Sequence, residues 1–378
     1  MWEMVKLNDV CTIKTGKKDV NEGTTDGAFP FFTCAKEHTY SDSFSFDCEA
    51  ILIAGNGAVG QTTYYEGKFE AYQRTYVLTD FHSILPSLLL LILQGKLMQH
   101  LSTMVLGNTI PYIKKGMLQN FEFLIPPLPL QQEIVKKLDE AFADIDKAIS
   151  ATEKNIENAE ALLAKYISQI IHHDLEGYDN CKIGDICNGV EYGSSTKSLN
   201  EGKVPVIRMG NLAQGEINLN DLVYSDNEDE ITKYSLSVGD VLFNRTNSPI
   251  HVGKTGIYRN TDPAIFAGYL IRIKYDKELV DPEFLNFYMN SVEIREYGFS
   301  VMSHSINQAN INGTKLKEYP FKLIPIEDQK SLVTKIDRLK NQVANILFVY
   351  KNKIENLNAL KSSILTQYLS GESSQDVA

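Results

Sequence analysis

The 378-residue sequence has no long hydrophobic run. Its longest apolar stretch, residues 84–93, is interrupted by Pro86 and Ser87, whereas a membrane-spanning helix needs about 20 consecutive apolar residues. Its first residues also lack the apolar core of a signal peptide. We therefore expect a chain that is neither exported nor bound to a membrane and that works in the cytoplasm.

Cysteine is scarce. The five cysteines are an odd number and form no C-x-x-C pair; they are Cys11, Cys34, Cys48, Cys181 and Cys187. This pattern suits a reducing compartment better than a disulfide framework or a zinc site. His172 and His173 precede Asp174 but have no further His or Cys nearby, and they close a predicted helix. We therefore expect no bound metal.

The chain also lacks an excess of basic residues. It has 37 Lys and Arg against 48 Asp and Glu, whereas proteins that neutralise nucleic-acid phosphates usually carry a basic excess. The charges are segregated, however. Residues 81–120 contain three lysines and no carboxylate, and residues 241–275 contain five cations and one acid. Each stretch predicts a basic face, and an ordinary fluctuation in surface charge is the alternative.

No intact catalytic motif is visible. The sequence has neither the N-P-P-F/Y nor the D-P-P-Y stretch of amino-methyltransferases. Residues 253–255 (GKT) resemble the end of a phosphate-binding P-loop, but Ser248 stands where that motif needs its first glycine. The sequence therefore predicts neither methyl transfer nor ATP hydrolysis by this chain.

One glycine pattern has the spacing of a dinucleotide site. Gly55, Gly57 and Gly60 fit G-x-G-x-x-G and follow a strand-like run. That motif must open a helix, but residues 61–78 are rich in Thr, Tyr and Val, and we predict a hairpin with Glu66-Gly67 at its centre. We therefore expect no bound cofactor; an enzyme that uses this loop is the alternative, and it requires a helix after Gly60.

The chain contains two copies of one long segment. A shift of 198 residues lays Gln131 onto Gln329, and it lays the I-E-N run at 156–158 onto the same run at 354–356. In each copy apolar residues alternate spacings of three and four, the heptad pattern of a coiled-coil helix. Prolines precede both copies and glycines follow them, as helix boundaries require.

The two copies predict long helices at residues 126–176 and 323–378. Lys340 and Lys361 interrupt the apolar seam of the second helix, and we interpret them as marking helix ends or irregular packing. A lone heptad helix buries little surface, so each helix needs a partner. We predict that the two helices pair antiparallel within the chain. The alternative is that each packs on its own globular segment or on another chain.

The segments before the helices, residues 1–125 and 177–322, also correspond. Residues 50–53 match residues 240–243, and both are short runs of strand composition that approach a glycine-containing turn. A helix is predicted later in each segment. The predicted fold class is α+β, with two mixed α/β domains separated by two long helices that form an antiparallel intramolecular coiled coil in a pseudo-two-fold repeat.

These features resemble the specificity subunit of type I restriction-modification systems. The resemblance rests on the entries to the two helices, L-I-P-P-L-P-L-Q-Q-E-I at 124–134 and L-I-P-I-E-D-Q-K-S-L at 323–332. It rests also on the closing runs L-L-A-K-Y-I-S-Q-I-I at 162–171 and L-K-S-S-I-L-T-Q-Y-L at 360–369. The likeness covers nearly the whole chain.

The resemblance implies a DNA-recognition subunit without catalytic activity. Residues 1–125 and 177–322 would be target-recognition domains, each reading one half of a split, asymmetric DNA sequence, and the helices would set the spacing. The implied partners are double-stranded DNA, two methyltransferase subunits that bind S-adenosylmethionine, and restriction subunits that use ATP and Mg²⁺. Such partners would also supply charge that neutralises phosphates. A structural coiled-coil scaffold without a nucleic-acid role is the alternative.

Candidate DNA-binding residues are polar side chains in loops beside strand-like runs, because base reading needs donors and acceptors projected into a groove. For each, capping of its own turn is the alternative. Lys114, Lys115 and Lys254 are expected to position the backbone rather than to read bases. The candidates are Asn56, Gln61, Thr62, Asn108, Thr109, Tyr112, Lys114, Lys115, Arg208, Asn211, Arg245, Asn247, Ser248, Lys254, Ser305, Asn307, Gln308 and Asn310.

Overall fold

The computed structural model describes residues 2–102, 104–107, 111–173, 177–178, 180–213, 215–304 and 308–370. The chain divides into two units, unit 1 (Met1–Glu153 with Lys351–Ala378) and unit 2 (Lys154–Tyr350). All five cysteines are free thiols. In the described part of the chain, no helix combines the length and the apolar character that a membrane span requires.

Unit 1 is a mixed α/β domain followed by the first long helix. Its strands are β1 (Glu3–Lys6), β2 (Thr12–Thr15), β3 (Phe29–Phe32), β4 (Thr39–Ser41), β5 (Phe46–Ala54), β6 (Thr62–Ala71), β7 (Thr75–Thr79) and β8 (Glu122–Ile125). Its helices are α1 (Leu7–Val10), α2 (Pro86–Ile92), α3 (Met98–Leu101) and α4 (Lys115–Gln119), and α5 (Leu128–His173) begins here. A π-helical turn, Leu93–Leu97, joins α2 to α3.

The main sheet of unit 1 has the strand order β2-β7-β5-β6-β3-β4, and β1 pairs with β8. β5 and β7 are apolar and largely buried, so they form the centre of the core with α2. A strand follows Gly60, which confirms that the glycine loop does not open a helix. The predicted turn at Glu66-Gly67 is wrong, because β6 runs through both residues and Gly67 lies opposite Cys48 of β5. The turn is the glycine loop itself.

Unit 2 repeats this plan. Its strands are β9 (Asn180–Lys182), β10 (Cys187–Tyr192), β11 (Val204–Ile207), β12 (Leu212–Ala213), β13 (Gly215–Ile217), β14 (Val223–Ser225), β15 (Val241–Asn244), β16 (Thr246–Asn247), β17 (Thr255–Ile257), β18 (Ile265–Phe266), β19 (Leu270–Tyr275), β20 (Ser303–His304), β21 (Ala309–Asn310) and β22 (Pro320–Lys322). Its helices are α6 (Glu228–Tyr234), α7 (Pro282–Met289), α8 (Val292–Val301), α9 (Gly313–Lys317) and the first part of α10 (Ile326–Leu369).

The sheets of the two units correspond strand by strand. The order β10-β19-β15-β17 in unit 2 matches β2-β7-β5-β6 in unit 1, and the pair β9-β22 matches β1-β8. Prolines at the first helical position open α2 and the equivalent α7, where a missing N–H costs nothing. The predicted α+β fold with a pseudo-two-fold repeat is therefore confirmed.

The two long helices pack antiparallel. In unit 1, Ile134 and Leu138 near the start of α5 share one core with Leu369 at the end of α10. In unit 2, Ile170 near the end of α5 shares a core with Leu332 and Ile336 near the start of α10. Each helix also packs on its own globular segment, so the packing that we offered as an alternative occurs together with the helix pairing.

The interpretation of Lys340 and Lys361 as helix ends is wrong, because α10 continues through both. The Lys361 ammonium lies 4.9 Å from the centroid of the Phe142 ring and 2.7 Å from a carboxylate oxygen of Asp146. The long aliphatic stem of a lysine can cover apolar surface while its ammonium reaches a carboxylate. A lysine therefore fits the apolar seam without ending the helix.

Candidate nucleic-acid interface

In unit 1 the structure brings together two loops that the sequence places about 50 residues apart. Asn56, in the glycine loop, forms an isolated β-bridge with Tyr112. Beside it, the Ile113 N–H donates to the Gly55 carbonyl at 2.9 Å. Lys114 and Lys115 follow directly and are exposed at the start of α4. The polar residues of the glycine loop and of this second segment therefore share one edge of the unit.

Gln61 and Thr62 lie where the glycine loop enters β6. Gln61 Nε2 donates to the Lys36 carbonyl at 3.4 Å. Gln61, Lys36 and His38 line a small cavity of about 60 Å³. The loop of Lys36 and His38, which sequence reasoning did not single out, thus adjoins the predicted residues.

Unit 2 brings together the equivalent pair of loops. Strand β16, which contains Asn247, pairs with β21, which contains Asn310, and Thr246 lies opposite Asn310. Asn310 Nδ2 donates to the Thr246 hydroxyl at 2.5 Å. Arg245 precedes β16, and its guanidinium donates to the Gly268 carbonyl at 2.8 Å and lies 5.0 Å from the Tyr192 ring centroid.

A cavity of about 520 Å³ lies beside these strands. Its lining includes Arg208, Asn211, Asn247 and His251. The Arg208 guanidinium donates to the Asp221 carbonyl at 3.0 Å and to the Asp221 carboxylate at 3.3 Å. Its Nε is buried and has no hydrogen-bond partner among the described residues. A ligand at this wall would therefore meet a guanidinium that is already paired with Asp221.

Asn211 lines the same cavity but holds its own turn. Its Oδ1 accepts from the Arg208 N–H at 2.8 Å, and its Nδ2 donates to the carbonyls of Asn218 and Asn220 at 3.0 and 3.1 Å. The Ser248 N–H similarly donates to the side chain of Asn247 at 2.7 Å. For these two asparagines the turn-capping role is visible in the structure, and a DNA-binding role stays a prediction.

Two cationic side chains, Lys254 and Arg295, lie beside His251 in unit 2. Lys254 Nζ lies 2.8 Å from His251 Nδ1, and Arg295 donates to the backbone carbonyls of Val252 at 2.5 Å and Ile250 at 3.0 Å. Burial and the nearby cations lower the pKa values of His251 and Lys254. His251 and Arg295 were missed by sequence reasoning. Arg295 is on α8, 41 residues beyond Lys254, and no local pattern joins the two.

The predicted basic face of residues 241–275 is largely neutralised. Arg259 pairs with Glu283 and Glu216, and Arg272 pairs with Glu191 and Asp240. Lys274 also pairs with Glu191 at 3.2 Å. Among the described residues, Arg245 and Lys254 have no carboxylate within ion-pair distance. Counting charges in the sequence overestimated the positive charge of residues 241–275, because the neutralising acids come from other parts of the chain.

Lys96, in the first lysine-containing stretch, is half-buried and engaged within unit 1. Its ammonium donates to the Leu369 carbonyl at the end of α10, at 2.8 Å, and burial lowers its pKa. Arg74, which was not among the predicted residues, lies 6.0 Å from the Tyr112 ring centroid and is exposed. It adds a cation to the edge that carries Lys114 and Lys115.

Several predicted positions lie outside the described residues: Asn108, Thr109, Ser305, Asn307, Asp174 and the side chains of His172 and His173. Gln308 is described and directly precedes β21. The described candidates of unit 2 thus flank the paired strands β16 and β21, and those of unit 1 flank the equivalent bridge between Asn56 and Tyr112.

Two copies of a mixed α/β domain with polar loops, each copy followed by a long helix, define the architecture. The family model described as "Type I restriction modification DNA specificity domain" matches residues 1–158 and 176–357. The chain belongs to this family. The resemblance noted from the sequence is confirmed, and a role in DNA recognition is favoured over a coiled-coil scaffold without a nucleic-acid role.

Individual relatives are distant but cover the chain. The EcoDI type I specificity subunit of Escherichia coli is 26% identical over 400 residues, which are 98% of this chain and 88% of that protein. The StySPI specificity subunit of Salmonella potsdam is 26% identical over 72% of this chain and 62% of its own length. A solved structure concerning assembly and conformational transition of the type I R-M system matches with a TM-score of 0.70, at 16% identity and 98% coverage of both chains. That match supports the fold.

Proposed function

We propose that each unit reads one half of a bipartite, asymmetric double-stranded DNA target. The observation that carries the proposal is the equivalent placement of the two loop pairs, Asn56 with Tyr112 in unit 1 and Thr246 with Asn310 in unit 2. Duplicated domains with unlike loops at the same position would read two different half-sites. Side-chain amides and arginines are the groups that distinguish adenine and guanine in the major groove.

The chain acts as a subunit of a larger assembly in this proposal. Two methyltransferase subunits bind S-adenosylmethionine and methylate adenine, and restriction subunits use ATP and Mg²⁺. The chain itself binds none of these cofactors and catalyses no step. Membership of the specificity family and the likeness to a chain of an assembled type I system support this division of labour.

Co-expression with a methyltransferase subunit from the same host tests the proposal. We expect N6-methyladenine, mapped by single-molecule sequencing of host DNA, in a split asymmetric motif with a fixed spacer that depends on this chain. Replacing both Lys114 and Lys115 with alanine should reduce methylation across all sites with the motif unchanged, because phosphate contacts carry no sequence information. A chain that assembles with the methyltransferase but yields no split motif would overturn the proposal.

A further inference from the structure

Gln131 is a fully buried polar side chain at the base of α5. Its Nε2 donates to the carbonyls of Ser83 and Pro126, both at 2.8 Å, and its Oε1 accepts from the Leu85 N–H at 2.8 Å. Ser83 and Leu85 belong to the loop that leads from β7 to α2, and Pro126 follows β8. One amide therefore joins the helix base to two separate parts of the globular domain.

Gln329 makes the same three hydrogen bonds at the base of α10. Its Nε2 donates to the carbonyls of Leu279 and Ile324, and its Oε1 accepts from the Asp281 N–H, all at 2.8 Å. It is also fully buried. Asp281 directly precedes α7, as Leu85 directly precedes α2. The arrangement has been kept in both units although their loops differ.

Such a contact is costly to lose. Each amide satisfies two backbone carbonyls and one backbone N–H, and buried groups left without partners each cost free energy. An apolar side chain of similar size would fill the space but leave all three groups unpaired. The loop before α2 or α7 would then be free to move relative to the helix base.

The other long helix holds each domain at a second place. In unit 1 the Lys96 ammonium donates to the carbonyl of Leu369 on α10. In unit 2 the hydroxyl of Ser168 on α5 accepts from the Val292 N–H at 3.1 Å and donates to the Glu293 carboxylate. Each domain is thereby hydrogen-bonded to both helices, and the glutamine is its buried polar contact at the base of its own helix.

We infer that Gln131 and Gln329 are positioning residues that restrict the half-site spacing the protein accepts. The inference rests on the proposed function, since spacing matters only for a bipartite target. One base pair moves a half-site by about 3.4 Å along the helix axis and rotates it by roughly 35°. A domain that cannot turn on its helix cannot follow that displacement.

The test measures methylation by the complex of this chain with its methyltransferase subunits. The substrates are duplexes carrying both cognate half-sites at the cognate spacing and at spacings one base pair shorter or longer. We expect Gln131→Met and Gln329→Met to raise the ratio of off-spacing to cognate rates by about tenfold or more, which corresponds to about 1.4 kcal/mol. The matched control is Gln132→Leu, at an exposed neighbouring position of α5, which should leave the ratio unchanged.

A graded variant covers the case in which the methionine variants do not assemble. A protonated glutamic acid at position 131 would keep the acceptor for the Leu85 N–H and one donor, so Gln131→Glu should relax spacing less. If the variants, including Gln131→Glu, unfold at a lower temperature but keep the wild-type ratio of off-spacing to cognate methylation rates, the glutamines only stabilise the fold. A wild-type complex without a fixed spacing would instead overturn the proposed function.

Discussion

At the scale of single residues, His251 is held in one protonation state by its neighbour. An ammonium carries only donors, so Lys254 must donate to Nδ1 of His251 and leave the ring proton on Nε2. Burial, followed by Lys254 and Arg295, lowers the pKa of His251 and keeps the ring neutral near pH 7. The ring therefore lines its cavity as a neutral hydrogen-bond donor.

Paired variants of His251 test whether that donor contacts DNA. A glutamine amide can reach the place of Nε2, whereas an asparagine amide reaches only that of Nδ1. We expect His251→Asn to weaken binding of cognate DNA by the assembled complex by about 1–3 kcal/mol, and His251→Gln to retain most of the affinity. Fluorescence anisotropy with cognate and unrelated duplexes measures both. Equal losses in the two variants would rule out a contact through Nε2.

Much of the residue-level chemistry was beyond sequence reasoning. The loops that carry Asn56, Tyr112 and Asn310 were recognised because polar residues cluster beside strand-like runs. Ion pairs could not be recognised in this way. Arg272, for example, pairs with Glu191, which lies 81 positions earlier in the chain. Such partners depend on strand order, which periodicity does not reveal. The basic strip was overestimated for that reason.

At the scale of elements, the long helices were predictable because their heptad pattern is strong and continuous. The strands β16 and β21 could not be predicted, because two residues are too few to show the alternating pattern of a strand. The glycine loop shows the same limit. The sequence indicated that a strand precedes this loop and a strand follows it. It did not indicate that β5 lies between β6 and β7 in the sheet.

Lys361 offers a test of how a lysine fits a helix seam. Lys361→Met keeps an aliphatic side chain in the seam. It loses the partly exposed ion pair with Asp146 and the contact of the ammonium with the Phe142 ring. We expect a loss of no more than about 1 kcal/mol in the free energy of unfolding. Lys361→Ala should cost more, because it also removes packing. Urea unfolding curves give both values, and a methionine variant less stable than the alanine variant would contradict this account.

At the scale of the whole molecule, the net charge of −11 predicts weak intrinsic affinity for phosphates. The logarithm of the DNA-binding constant falls with the logarithm of salt concentration by about 0.9 per neutralised phosphate. We expect a shallow slope for the isolated chain and a steeper one for the complex with methyltransferase subunits. Titrations at several salt concentrations measure both slopes. Equal slopes would mean that this chain makes the phosphate contacts itself.

The division of the chain has a consequence for its synthesis. Unit 1 consists of Met1–Glu153 together with Lys351–Ala378, and Leu369 is buried in its core. The ribosome must therefore make all of unit 2 before the first unit can be completed. At about 5–20 residues per second this delay is on the order of 10–40 s. During that time the apolar surface that Leu369 will cover stays open to chaperones and proteases, although most of unit 1 has long been translated.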